Sequence, residues 1–230
     1  MTKFNILIVA FCFYEGICFA DQLSAKTVIT GDTMEIKNEG KVTISKGHSV
    51  AINKNSVVNA DEMSYDKEKS LILAKGNVKL FSKTQDLESV EVYGQYSNYN
   101  PNIQKGKIWG NVLVKYFVNN STSPLVLRAK EIYIDKNKQV LDARNDVVVI
   151  TSSGTIHADN GRFDKKTLGT IFKKDNKKPV AHVLNDGKEE TYEADEMIFF
   201  SSKKGGQKIV MKGSVLGKIK MEDKKDDIKN

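Results

Sequence analysis

The side chains of this chain with the most chemical capacity are carboxylates that recur in register. Asp32, Asp61, Asp159 and Asp195 each follow a small residue, in Gly31-Asp32, Ala60-Asp61, Ala158-Asp159 and Ala194-Asp195. Tyr93-Gly94 and Ala129-Lys130 open two further copies. A row of carboxylates could bind Ca²⁺ or exchange protons with a substrate. Catalysis needs one special copy rather than a series of similar ones, so recurrence at the same place in every repeat is better explained by a shared turn. The three histidines, His48, His157 and His182, fall on separate elements. None has a second His, Cys or carboxylate at metal-ligand spacing, so they read as surface or turn residues. No Gly-rich phosphate loop precedes a helix and no serine stands in a nucleophile elbow. The sequence thus predicts no catalytic residue, no metal and no cofactor.

The elements that carry these residues are repeats. Each anchor opens a strand-like run, and a glycine-marked apolar run answers it later, as Ala60-Asp61-Glu62-Met63-Ser64-Tyr65-Asp66 is answered by Leu71-Ile72-Leu73-Ala74-Lys75-Gly76-Asn77-Val78-Lys79-Leu80. The anchors are spaced by roughly 29 to 36 residues, a period of stacked architectures rather than of one compact active site. Lys75-Gly76-Asn77 and Trp109-Gly110-Asn111 read as places where a strand kinks or meets another backbone closely. Asp66, just after Tyr65, reads as a turn former.

Period-two alternation dominates after residue 26, in stretches such as Lys41-Val42-Thr43-Ile44-Ser45 and Glu131-Ile132-Tyr133-Ile134-Asp135. No segment keeps helical periodicity for three turns. Many short strands at regular spacing predict an all-β sandwich, barrel or roll. Its inward face would hold Met34, Ile36, Val42, Ile44, Val50, Ile52, Met63, Tyr65, Val78, Leu80, Val112, Val114, Ile132, Ile134, Val147, Val149, Phe163, Ile209, Met211 and Val215. Such an interior is either filled by its own side chains or left open for a ligand. The aromatic residues gather in Tyr93 to Tyr99 and in Tyr116-Phe117, with the one tryptophan at Trp109. Core and edge packing is their plain assignment, and sugar stacking the sharper one.

The 230 residues suffice for a sizeable core, and 40% hydrophobic against 28% charged residues places the chain among globular proteins. Lys3, the apolar stretch from Phe4 and the small residue Ala20 read as a cleaved secretory signal over residues 1–20. Both cysteines, Cys12 and Cys18, fall within it, so the mature chain would have neither disulfide nor thiol chemistry. The formal charge of +7 in an exported chain points away from nucleic acid and toward anionic lipids, cell-wall polymers or phosphorylated glycolipids. Lysine-rich turns that block edge pairing are the bland alternative. Residues 21–221 read as one continuous β domain with loops near 119–124 and 173–179, and residues 222–230 as a charged, disordered tail.

The repeated strings Gly31-Asp32, Ala60 to Asp66, Ala74-Lys75-Gly76-Asn77-Val78 and Ala129 to Asp135 resemble the OstA-like family, which takes in LptA-, LptC- and LptD-type proteins of lipopolysaccharide transport. The likeness covers most of residues 28–151 and returns more weakly from Ile156 to Val215. It implies an open, V-shaped β-jellyroll of antiparallel strands whose interior shields the acyl chains of lipopolysaccharide. An LptA-type member would be a non-enzymatic periplasmic bridge of the Gram-negative envelope, joined to LptC-like and LptD-like proteins and to itself through edge strands. The residues facing lipid A chains would be Met34, Ile36, Ile44, Ile52, Met63, Val78, Leu80, Val112, Val114, Ile132, Ile134, Val147 and Val149. Two other readings stay open: a membrane-anchored LptC-like component, and an envelope scaffold that fills its own core.

Overall fold

The computed structural model describes residues 28–53, 56–83, 89–100, 102–117, 124–135, 137–151, 154–164, 169–185, 188–201 and 207–219. The expected signal with Cys12 and Cys18, the tail from 222, loop residues 119–123 and the turn at 203–206 lie outside them.

Hydrogen bonding joins the described strands into one antiparallel, 16-stranded sheet. It opens with β1 (Val28–Thr30) and β2 (Thr33–Lys37), then β3 (Val42–Asn53) and β4 (Ser56–Asp66). The long strands continue with β5 (Leu71–Lys83), β6 (Ser89–Asn100), β7 (Lys105–Phe117), β8 (Leu125–Asp135), β9 (Val140–Thr151) and β10 (Gly154–Asp164). Short strands close the chain: β11 (Gly169–Lys173), β12 (Val180–Asn185), β13 (Lys188–Glu193), β14 (Glu196–Ser201), β15 (Gln207–Lys212) and β16 (Leu216–Ile219). From β3 to β10 sequence neighbours pair with each other, and the first and last strands do not meet. The sheet is open, as the sequence predicts for the all-β class.

Each long strand bends at a corner. The register shifts between Lys46 and Ser49 on β3, between Lys75 and Val78 on β5, between Trp109 and Val112 on β7, and between Arg144 and Val147 on β9. At each shift two residues take left-handed backbone: Gly47-His48, Gly76-Asn77, Gly110-Asn111 and Asn145-Asp146. A β-bulge of this kind bends and twists its strand, and repetition in line folds the whole sheet into two leaves. Leaf A holds Thr43, Met63, Ile72, Ile108 and Ile132, and leaf B holds Ala51, Val58, Leu80, Val92 and Val114. Beyond β10 the leaves part. Leaf A continues through β11, β14 and β15, and leaf B through β12, β13 and β16.

The recurrent anchors sit at this corner. The Asp61 carboxylate accepts two bonds from Asn77 Nδ2, at 3.2 and 3.0 Å, and packs against Gly76. Asp32 pairs with His48 Nδ1 at 2.9 Å and packs against Gly47. Lys130 reaches Asp146 at 2.8 Å. Asp159 takes the backbone N–H groups of Asn176 and Lys177, and Asp195 that of Ser214. The carboxylate row is therefore a device for folding strands over. Asp66 is a turn former as expected, accepting the Lys69 N–H at 3.0 Å, and Asp135 does the same with Lys138. Asparagines lace neighbouring hairpins together at that end, from Asn100 to the Lys69 carbonyl and from Asn137 to that of Ile103.

Candidate functional site

Between the two leaves lies an apolar trough. Its middle and later part is filled: Val112, Val114, Tyr116, Ile132 and Val147 are fully buried, and Phe172, Met197 and Phe199 pack toward the last strands. Toward the beginning of the chain a recess opens, with about 650 Å³ of non-atom space that includes open solvent. Ala51, Val58, Val78, Leu80 and Val92 line it from leaf B; Met63, Ile72, Ala74, Tyr99, Ile108 and Ile134 line it from leaf A. Small side chains on β3 leave this end loose. Ser45 donates to the Thr30 carbonyl at 2.9 Å and bonds Ser49, so the inner surface of β3 at the corner is polar and short.

The thirteen residues expected to face lipid divide into distinct groups. Met63, Val78, Leu80 and Ile134 line the recess. Val112, Val114, Ile132, Val147 and Val149 belong to the packed interior or lie against it. Met34 and Ile36 pair with Ser45 and Thr43, which share the inner face with Met63 and Tyr65. They are 52% and 66% exposed, because the described sheet ends there and no described residue covers them. Ile44 and Ile52 are corrections. Ile44 pairs with Ser64 and Ile52 with Val57, one residue out of phase with inward Met63 and Val58, so both face outward. Val42 and Val50 share their error. The inward positions of β3 are Thr43, Ser45, Ser49 and Ala51, where close passage of the Thr30-Gly31 backbone over Ser45 admits only small side chains.

The sequence analysis missed the recess residues Ala51, Val58, Ile72, Ala74, Val92, Tyr99 and Ile108; at Ala51, Ala74 and Tyr99 the reason is that small or polar-tipped side chains give alternation a weak signal. It singled out Tyr96 and Trp109 among the aromatics but did not bring them together with Lys107, Tyr133 and Arg144 on one outer surface. On leaf A, Tyr96 and Trp109 stack with centroids 5.5 Å apart, and Lys107 and Arg144 lie over the Tyr133 ring at 4.6 and 4.4 Å. Lys107 also reaches Glu131 at 2.6 Å, which lowers the Glu131 pKa and raises that of Lys107. On leaf B, Tyr93 lies between Lys79 and Lys115, and its bond to Glu91 pushes its phenol up to about 12. His157 and His182, distant in sequence, meet edge to face at 5.8 Å. Among the described residues no group of three His, Cys, Asp or Glu could hold a metal ion.

An open antiparallel sheet folded into two leaves around an apolar interior is the architecture of the OstA-like β-jellyrolls. Residues 57–168, just under half of the chain, match the LptA/(LptD N-terminal domain) LPS transport protein family. The match spans β4 to β10, the strands that bend without a break. No curated protein matches the chain. Among solved structures it is similar to LptH of Pseudomonas aeruginosa, the LptA homologous periplasmic component of the conserved lipopolysaccharide transport device, at 14% identity and a TM-score of 0.45. That likeness covers 53% of this chain and 83% of LptH.

Proposed function

We propose that the protein is a periplasmic bridge that carries lipopolysaccharide from the inner to the outer membrane, with acyl chains held in the trough between its leaves. One observation carries the reading: exposed Met34 and Ile36 at the open end share an inner face with the apolar recess at Met63, Leu80 and Ile134, with only the short side chains Thr43 and Ser45 of β3 between them. Burying acyl chains there removes their surface from water at about 25 cal/mol per Å². The domain family supports the substrate. Lysines on the surface suit lipid A phosphates. In this role the chain catalyses no reaction, and LptC-like and LptD-like proteins flank it in the envelope. The outer edges of its first and last described strands join to those partners, or to a second copy, by edge pairing.

The test compares exposed apolar positions on opposite faces. A photo-crosslinking residue at inward Ile36 or Leu80 captures lipopolysaccharide in cells, whereas one at outward Ile52 does not. Equal capture at Ile36 and Ile52 would sink the trough. The packed middle, where Val114 and Ile132 are 0% exposed, favours a second reading as an envelope scaffold with a filled core. Native mass spectrometry separates the two, since a scaffold retains no lipid through purification.

A further inference from the structure

The outer surface of leaf A breaks its own pattern at the centre. Across the strands one outward row reads Lys46, Glu62, Lys75, Tyr96, Trp109, Glu131, Arg144, Asn160, Lys173, Glu196 and Lys212, each residue paired in register with the next. Outside the aromatic pair and neutral Asn160 this is a ladder of charged side chains, which needs no aromatic side chain. In the next row Lys107 and Tyr133 are adjacent, and Leu73 stands 41% exposed nearby. Tyr96 is itself 37% exposed. The Tyr96 and Trp109 rings lie within 20° of parallel, Lys107 Nζ is 5.3 Å from the Trp109 ring, and exposed Arg144 lies over the Tyr133 ring on the far side of Glu131 from Trp109.

These groups match one ligand chemistry. A pyranose ring has an apolar C–H face that stacks on an aromatic ring and a rim of hydroxyls that suits planar polar side chains such as Glu131, Asn98 and Arg144. Trp, Tyr and Arg are also the side chains that contribute most to binding surfaces. Around the rings three cations, Lys75, Lys107 and Arg144, stand against two carboxylates, Glu131 and Asp142, so the surface favours negative charge. We infer that this outer face, running from Tyr96 and Trp109 across to Arg144, binds an anionic polysaccharide, one ring stacked on the aromatic pair and the acidic group of a neighbouring ring on the guanidinium. The surface lies on the opposite side of the sheet from the trough, so it adds a second binding site and does not depend on the lipid reading.

Trp109 is the one tryptophan of the chain, so tryptophan fluorescence, excited selectively over the tyrosines, reports on this surface. The full chain is titrated with oligogalacturonate, with a neutral maltooligosaccharide of the same length and with polyglutamate. Oligogalacturonate alone gives a saturable change. Its affinity falls about tenfold in Tyr96→Ala and in Arg144→Gln, and falls as salt is raised. No saturable change, or one that survives both substitutions, overturns the inference. An equal response to the neutral sugar removes the role of charge, and a response to polyglutamate alone assigns the surface to acidic polypeptide instead. Lipid capture at Ile36 persists in both variants, so failure on this face is distinguishable from failure of the trough.

Discussion

The corner at Gly76 makes a sharp energetic prediction, because two separable effects meet there. Gly76 has φ +74°, and a Cβ at that position would collide with the Asp61 carboxylate. Gly76→Ala therefore suffers the left-handed backbone cost, about 1–2 kcal/mol. It must also turn the Asp61 carboxylate away from Asn77 Nδ2, and losing that exposed pair of bonds costs about 0.5–1 kcal/mol more. In an Asp61→Ala background the carboxylate is gone, and what remains is the backbone cost and a close approach of the two Cβ atoms at 2.9 Å, both already present in Gly76→Ala. The double variant is then less destabilised than the sum of the singles by about 0.5–1 kcal/mol, within the range of coupling between touching residues. Gly40 is the control: φ is +87° with nothing within 4 Å of its Cβ, so Gly40→Ala shows the backbone cost alone and no coupling to Asp61. Urea unfolding followed by circular dichroism measures all of these. Strict additivity of Gly76→Ala and Asp61→Ala would refute the account of the carboxylate row as a corner device.

Other consequences are open to direct measurement. Ile132 is 0% exposed between Ile108 and Ala143, and Ile132→Ala lowers stability by about 2–4 kcal/mol in the same unfolding assay, whereas Ile52→Ala on the outer face costs far less. His48 has its pKa raised above the ordinary 6.5 by its bond to Asp32, so NMR titration finds its imidazole titrating above that value, and Asp32→Asn brings it down. Because the folded-state pKa is the higher one, the pair's contribution is fully present below 6.5 and fades as pH rises through the folded value. The proposed edge pairing predicts concentration-dependent assembly of the wild type in sedimentation and its reduction in Ile36→Lys, which places a charge on the open edge beside exposed Met34.

The sequence made legible what depends on local chemistry. Asp66 and Asp135 announce the hairpin turns because an Asp side chain closes its own turn on the N–H three residues on. Gly76-Asn77 and Gly110-Asn111 announce bends because these residue types tolerate positive φ. Alternation identified inward Met63, Val78, Leu80, Val112 and Ile132, whose strands present their larger apolar side chains to the interior. It failed on β3. There the hairpin registers with β2 and β4 turn Thr43, Ser45 and Ala51 inward beneath the crossing Thr30-Gly31 backbone, and leave Ile44 and Ile52 outside.

The same division runs through the rest of the molecule. By itself the sequence determined the strands, the period of the repeat and the conversion of a carboxylate row into architecture, since each follows from backbone preferences within a few residues. Only the tertiary structure decided which face of β3 looks inward, where the trough is open and where it is filled. It alone brought Tyr96 to Trp109 and Lys107 to Tyr133 on one outer surface. These outcomes depend on register between strands, and a two-residue bulge resets the phase of alternation each time the sheet turns its corner.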